Sequence, residues 1–312
     1  MENQLNRGLQ IRADFMMLLV VAIWGSSYLF MKMGLESISE FNLVGLRFGF
    51  AFLLAGLFFY KRMMKVNKTT LKYGFILGTI VFLAISCVTI GLKYTTVSNA
   101  GFSFGLAVIF VPILLTIIYR KKPEMKIIVA TLFSITGIGL MTLNEQLSIN
   151  LGDFLCIIGA LLYALFIITI DKLTKNVDSI ALGILQLGFT GAWGIVFSFI
   201  FETPHLPNTS EGWIAILALS ILCSAIGFIG QTVAQKYTTP THTSLIFSLE
   251  PVFAALFAFM FMNEVLQFRG YIGAFLILLG VLTAEVDLKK LLKRKAEDTL
   301  VGQTAGYTPE HK

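Results

Sequence analysis

Long stretches with almost no charge constrain this chain more than any other feature. Phe15 to Met31 and Ile272 to Val286 are two of them, and similar blocks recur along most of the sequence. A helix needs roughly 20 apolar residues to cross the hydrocarbon core of a bilayer. Inside lipid the backbone has no water to bond, so helix is the natural state of such a block. A transmembrane barrel would instead show alternating segments of about ten residues, and the sequence has none. Of 312 residues, 56% are hydrophobic and 13% charged. A soluble domain carries about a quarter charged residues, so that class is excluded.

The blocks predict an all-α integral membrane protein of ten transmembrane helices, near 15–34, 41–60, 71–92, 98–119, 125–142, 152–171, 180–201, 212–234, 241–262 and 267–287. The connections are too short for a soluble domain. The first block follows Arg7 and Arg12 and exceeds the apolar core of a signal peptide, so it is expected to stay in the mature chain. Residues 1–14 read as a cytoplasmic N-terminus and 288–312 as a basic, then polar, cytoplasmic tail.

Charge sets the expected orientation. Lys61, Arg62, Lys65, Lys68 and Lys72 follow the second span, Arg120, Lys121, Lys122 and Lys126 the fourth, and Lys289, Lys290, Lys293, Arg294 and Lys295 the last. The connections 143–151 and 202–211 have no Lys or Arg and carry Glu145, Glu202 and Glu211. Cytoplasmic loops collect Lys and Arg, so both termini are expected inside a plasma membrane. The net charge of +6 is explained by these loops and not by nucleic acid. Anionic lipid headgroups are a natural partner for them.

The sequence repeats itself. The word KYTT stands at Lys93–Thr96 and again at Lys236–Thr239, 143 residues later. Ala13–Phe15 (ADF) aligns with Gly152–Phe154 (GDF), an offset of 139 that also pairs Trp24 with Tyr163, Lys32 with Asp171, Arg47 with Gln186, and Gly49-Phe50 with Gly188-Phe189. ITGIGLMTL (135–143) resembles ILLGVLTAE (277–285). The repeats are read as 15–142 and 152–287. Five spans per repeat put the second copy into the membrane upside down, an arrangement typical of secondary transporters with a midplane site.

These features resemble the drug/metabolite transporter superfamily, and within it the bacterial EamA-type permeases. The residues that carry the resemblance are WGSSYLFMK (24–32), LRFGFAFLLAG (46–56), KYTTVSNAGFSFGLAVIFVPILL (93–115), KYTTPTHTSLIFSLEPVFAALFAFMFMNEVL (236–266) and GYIGAFLILLGV (270–281). Pro112 departs from the pattern, lying one turn beyond the position that matches Pro251, and Lys121 stands where the second copy has Glu264. The resemblance implies movement of amino acids, other small metabolites or drugs, usually outward. It also implies a cavity walled mainly by spans 1, 3, 4, 6, 8 and 9.

Ionisable groups inside a span are costly and mark candidate sites. Glu250 precedes Pro251 in the middle of the ninth span and is a candidate for substrate binding or proton coupling, or for a structural pair. Arg47 is seven residues into the second span. It is able to hold a substrate carboxylate through two parallel bonds, or to pair with Glu250. Trp24, Ser27, Tyr28 and, in the sixth span, Tyr163 form a polar and aromatic cluster suited to a cavity wall or to helix packing. Asn99, Ser103, Gln186, Gln231, Gln235 and Ser244 are further cavity candidates, and Pro112 and Pro251 are candidate hinges. Lys32 and Asp171 read as interface anchors or gate residues, Glu264 as a loop acid, and His242 as a span-end group. Gly270, Gly273 and Gly280 in the tenth span mark a packing face or a homodimer contact shared with the fifth.

Cys87, Cys156 and Cys223 lie in apolar blocks and read as packing residues, with no metal-binding spacing. The chain has no GxxxxGK[ST], GxSxG or HExxH. Enzymatic chemistry, ATP hydrolysis, metal and cofactor are therefore not expected. The leading expectation is a secondary transporter that exports small metabolites, most naturally amino acids or related compounds, by alternating access. An uncoupled facilitator or importer is an alternative, and a receptor, scaffold, membrane enzyme or lipid-handling protein a more distant one.

Overall fold

The computed structural model describes residues 2–95, 97–120, 122–142, 150–262 and 268–285. Glu145, Glu264, Lys121 and the expected tail fall outside these residues. Every regular element among them is helical. In chain order they are α1 (Glu2–Gly25), α2 (Ser27–Leu35), α3 (Glu40–Phe58), α4 (Tyr60–Met63), α5 (Lys68–Gly91), α6 (Val97–Gly105), α7 (Ala107–Tyr119), α8 (Met125–Thr142), α9 (Leu151–Leu173), α10 (Ser179–Phe201), α11 (Ser210–Ala218), α12 (Gly227–Ala234), α13 (Pro240–Phe247), α14 (Glu250–Met262) and α15 (Phe268–Glu285). A wide, π-type turn over Leu219–Ile226 joins α11 to α12.

Among the described residues six helical stretches are long and apolar enough to cross a membrane: Gly8–Leu35, Glu40–Phe58, Lys68–Gly91, Leu151–Asn176, Ser179–Phe201 and Ser210–Ala234. Ser103–Tyr119, Met125–Leu140 and Phe268–Thr283 are shorter apolar helices. The chain is thus a multi-pass, all-helical membrane protein. The expected spans 15–34, 98–119 and 241–262 are each broken into two helices, at Ser26, at Leu106 and at Ser248–Leu249.

Local sequence explains the helix starts. The Asn67 side chain accepts from Thr70 N at the start of α5. Asn150 and Asp153 cap α9 reciprocally, Asp178 accepts from Ile180 N and Ala181 N before α10, and Thr239 caps α13 with Pro240 just inside it. Each side chain satisfies backbone donors that a helix leaves open at its first turn.

The outer surface is apolar. Leu57, Phe58, Phe199 and Phe268 are all more than 70% exposed. Lipid removes the hydrophobic drive between helices, so packing falls to small residues and polar contacts. On α3 and α10 the backbones nearly touch: a Cβ at Gly194 would meet Gly45 N at 2.5 Å, and one at Gly191 would meet Gly49 N at 2.6 Å. On α8 and α15, a Cβ at Gly137 would meet Gly273 O at 2.5 Å and one at Gly280 would meet Ser134 Oγ at 2.6 Å. The glycines of the fifth and tenth blocks therefore pack on each other within one chain, and a dimer through these helices has only their other faces available.

The contacts come in couples that exchange the two parts of the sequence. Helix α3 lies on α10, α8 on α15 and α7 on α13, while α5 on α9 is matched by α1 on α12.

Candidate functional site

Four interruptions in the helices point at one place. Between α1 and α2, Ser26 leaves the regular ladder, with its Oγ donating to Ile23 O at 2.7 Å. The break between α6 and α7 brings in Phe104, the π-type turn lies beside Phe228, and the break before α14 ends at Glu250. A cavity sits among them, lined by Trp24, Ser27, Tyr28, Met31, Arg47, Ile85, Val88, Phe104, Tyr163, Phe228 and Glu250. Its open interior is about 30 Å³, room for one or two waters. Irregular backbone at membrane depth is tolerated where it lines a cavity or is buried in protein.

Trp24 is held from two sides. Its Nε1 donates to Cys223 O at 2.8 Å. Cys223 lies in the π-type turn, where widening changes the usual carbonyl partners and makes one available. Phe228, Phe247 and Tyr163 surround the indole, with ring centroids 5.0, 5.2 and 6.0 Å away. Gly25, next to Trp24, packs against the backbone of α14, where an added Cβ would meet Phe253 Cβ at 2.6 Å.

Arg47 is 2% exposed. Its Nε donates to Ser224 Oγ at 2.7 Å, and its guanidinium carbon lies 5.0 Å from the Phe48 ring centroid. Among the described residues no carboxylate forms an ion pair with it within 4.0 Å. The alternative of a close Arg47–Glu250 pair is therefore not what the structure shows. Across the cavity the Tyr28 hydroxyl faces the Glu250 carboxyl group. One wall thus offers a cation whose Nη atoms have no hydrogen-bond partner among the described residues, and another a carboxyl group beside a phenol.

The glutamine candidates lie elsewhere. Tyr163 OH donates to Gln231 Oε1 at 3.0 Å, Gln231 Nε2 to Gln235 Oε1 at 2.9 Å, and Gln235 Nε2 to Ile167 O at 3.0 Å. The chain starts and ends on α9, one turn apart, and bolts that helix to α12. Gln186 Nε2 donates to Thr232 Oγ1 at 2.9 Å. These three side chains are buried between helices and do not line the cavity. Ser103 is buried beside Phe104, and Ser244 Oγ donates to Thr241 O at 2.9 Å inside α13; neither lines it. Asn99 lies on α6, and its side chain is outside what is described.

The two prolines differ. Pro251 is the second residue of α14, directly after the break, where a missing N–H costs little. Pro112 lies within α7, and its helix breaks earlier, at Leu106. A helix break therefore adjoins Pro251, whereas Pro112 lies within a continuous helix. Lys32 is exposed, Asp171 Oδ2 pairs with Lys175 at 3.4 Å, and His242 Nδ1 lies 3.2 Å from Gln10 Nε2.

Met31, Ile85, Val88, Phe104 and Phe228 also line the cavity and carried no signal of their own. An apolar side chain in a transmembrane block reads the same whether it faces lipid or a cavity. Ser224, which holds Arg47, had one available clue: a hydroxyl in an otherwise apolar run.

Comparison with known proteins agrees with this picture. The profile of the EamA-like transporter family matches the chain twice, over residues 11–143 and 150–284. An uncharacterized transporter of Archaeoglobus fulgidus is 29% identical over 273 residues, covering 88% of this chain and 85% of its own. The uncharacterized transporter YyaM of Bacillus subtilis is 27% identical over 284 residues, covering 86% and 92%. A solved structure, described as the crystal structure of a protein, superimposes with a TM-score of 0.75 at 16% identity, over 92% of this chain and 99% of that one. The solved structure shares the fold, the relatives are named transporters, and the profile covers both parts of the sequence: the chain belongs to the EamA-like transporter family, whose members carry solutes across membranes and are not enzymes.

Proposed function

We propose that this protein is a secondary transporter that exports small zwitterionic metabolites, amino acids or close relatives, by alternating access. One observation carries the reading. Side chains from both parts of the sequence converge on one cavity, and they bring a guanidinium, a carboxyl group and an aromatic wall to it. Arg47 holds the substrate carboxylate through its free Nη donors. Glu250 and Tyr28 receive the ammonium group, and Trp24, Tyr163, Phe104 and Phe228 enclose the remainder. A volume of about 30 Å³ is too small for such a solute. Loading it requires the helices to separate.

The breaks at Ser26, Leu106 and Ser248–Leu249, with the π-type turn, supply short lengths of helix able to tilt around that site. The exchanged couples of helix contacts and the doubly matched family profile support ten spans in two inverted repeats of five. The basic connections support cytoplasmic termini in a plasma membrane. Glu250 is the proposed proton carrier. The site's one carboxyl group sits at a helix break, where movement would change its access to either side.

Purified protein in proteoliposomes, given a panel of labelled amino acids and related metabolites with and without a pH gradient, tests the reading. Zwitterionic members should move, and Arg47→Ala should reduce their flux at least tenfold. Absence of flux for every panel member under both conditions would overturn it.

A further inference from the structure

A second, larger cavity lies away from the central site. It measures about 810 Å³ and is lined by Lys61, Arg62, Lys65, Lys175 and Lys236 together with Asp178 and several neutral residues. Five cations face one carboxylate. Arg62 Nη1 pairs with Asp178 Oδ2 at 2.6 Å, which neutralises both, and Lys175 lies 3.4 Å from Asp171 Oδ2. Lys61 stands 6.0 Å from the Tyr60 ring centroid. Among the described residues Lys61, Lys65 and Lys236 have no acidic partner within 4.0 Å.

The cations come from separate parts of the chain. Lys61 and Arg62 lie on α4 and Lys65 just after it, Lys175 lies between α9 and α10, and Lys236 follows α12. Folding therefore concentrates positive charge from three connections around one basin. Such a concentration is costly unless an anion is present to offset it. Exposed apolar side chains flank its lysines in the sequence: Leu57, Phe58 and Met64, within a few residues of Lys61 and Lys65, are 76%, 80% and 81% exposed. A soluble anion has no use for these side chains. A lipid does, because its chains lie along apolar helix faces while its phosphate meets the cations at the surface.

We infer that this basin is a binding site for the phosphate headgroup of an anionic phospholipid. The headgroup is held by Lys61, Lys65 and Lys236, with the acyl chains against the α3–α4 corner. A lipid seated there joins the end of α4 to the connection that follows α12. It thereby ties together helix ends contributed by both parts of the sequence.

Native mass spectrometry of the whole protein in detergent tests the site, with phosphatidylglycerol and phosphatidylcholine of identical chains added in competition and pyrophosphate as the soluble probe. A lysine near a charged bilayer surface contributes about fivefold in affinity. Lys61→Gln, Lys65→Gln and Lys236→Gln together should therefore weaken phosphatidylglycerol retention on the order of 100-fold. A control triple variant, Arg120→Gln, Lys122→Gln and Lys126→Gln, removes the same charge outside the basin and should leave retention unchanged. Thermal unfolding without added lipid checks that both triples are folded. If the basin triple fails to fold, Lys236→Gln alone should still lower retention about fivefold. Equal retention of the two lipids, equal loss in both triples, or displacement of the lipid by pyrophosphate would overturn the assignment.

Discussion

Gly227 sits where a methyl group would collide with the centre of the candidate site. A Cβ there would lie closer than 3.0 Å to Trp24 Nε1, and 3.1 and 3.2 Å from Cε2 and Cδ1 of the same ring. Ordinary contacts between heavy atoms settle at about 3.5–4.0 Å, so the indole must recede by about 1 Å. Cys223, which accepts the indole N–H at 2.8 Å, lies one turn before Gly227 on the same segment. Receding from Gly227 thus also pulls the donor out of hydrogen-bond range. Overpacking of this kind costs about 1–3 kcal/mol, and an orphaned buried donor about 1–3 kcal/mol more. Gly227→Ala should therefore lower stability by about 2–6 kcal/mol in denaturant unfolding of the detergent-solubilised protein, and should suppress flux in proteoliposomes. Trp24→Phe removes both the crowded nitrogen and the donor. In the double variant the two effects should fall short of their sum by at least about 1 kcal/mol. Strict additivity, or a Gly227→Ala protein as stable as the parent, would refute the assigned contact.

Glu250→Gln keeps the shape of the side chain and removes its titration, so flux through the variant should lose its dependence on a pH gradient in the proteoliposome assay; a dependence like that of the parent would remove Glu250 from the proton path. Asp178 resists protonation despite a partial loss of solvent, which alone would raise its pKa: the N–H groups of Ala181 and Ile180 and the Arg62 guanidinium bring it below the ordinary 3.8. Its charged form is the one stabilised, so its contribution is whole above that ordinary value and is lost as pH falls through the lowered one. Asp178→Ala should thus cost about 1 kcal/mol near neutral pH, with the gap to the parent closing below pH 3.8 in thermal unfolding scans. For orientation, an impermeant thiol reagent applied to intact cells should label Asn208→Cys and spare Lys65→Cys, and the reverse pattern would invert the proposed topology.

The membrane class and the helical state were legible because lipid enforces them locally. A block without charge has to be helical whatever its neighbours do. Arg47 and Glu250 were legible for the same reason: an ionisable group at depth is expensive in any arrangement, so its presence alone marks it. The repeat put the second and seventh spans, and the fifth and tenth, in matched places in the sequence; in the fold α3 packs on α10 and α8 on α15. Partners were not legible. Gln231 and Gln235 resembled cavity residues in the sequence, yet they bond to each other, to Tyr163 and to Ile167 O, because a polar group's role depends on what lies within 3 Å of it. The apolar walls Ile85, Val88, Phe104 and Phe228 were hidden too, since lipid and a cavity lining select the same side chains.

By itself, then, the sequence determined the solvent, the secondary structure and the two charges that have to be accommodated within the bundle. Tertiary structure decided where the helices break, which candidates meet around one cavity of about 30 Å³, and how lysines from three connections gather in one basin. Burial cost and helix formation act within a segment, whereas a cavity exists only between segments, through the distances that packing sets.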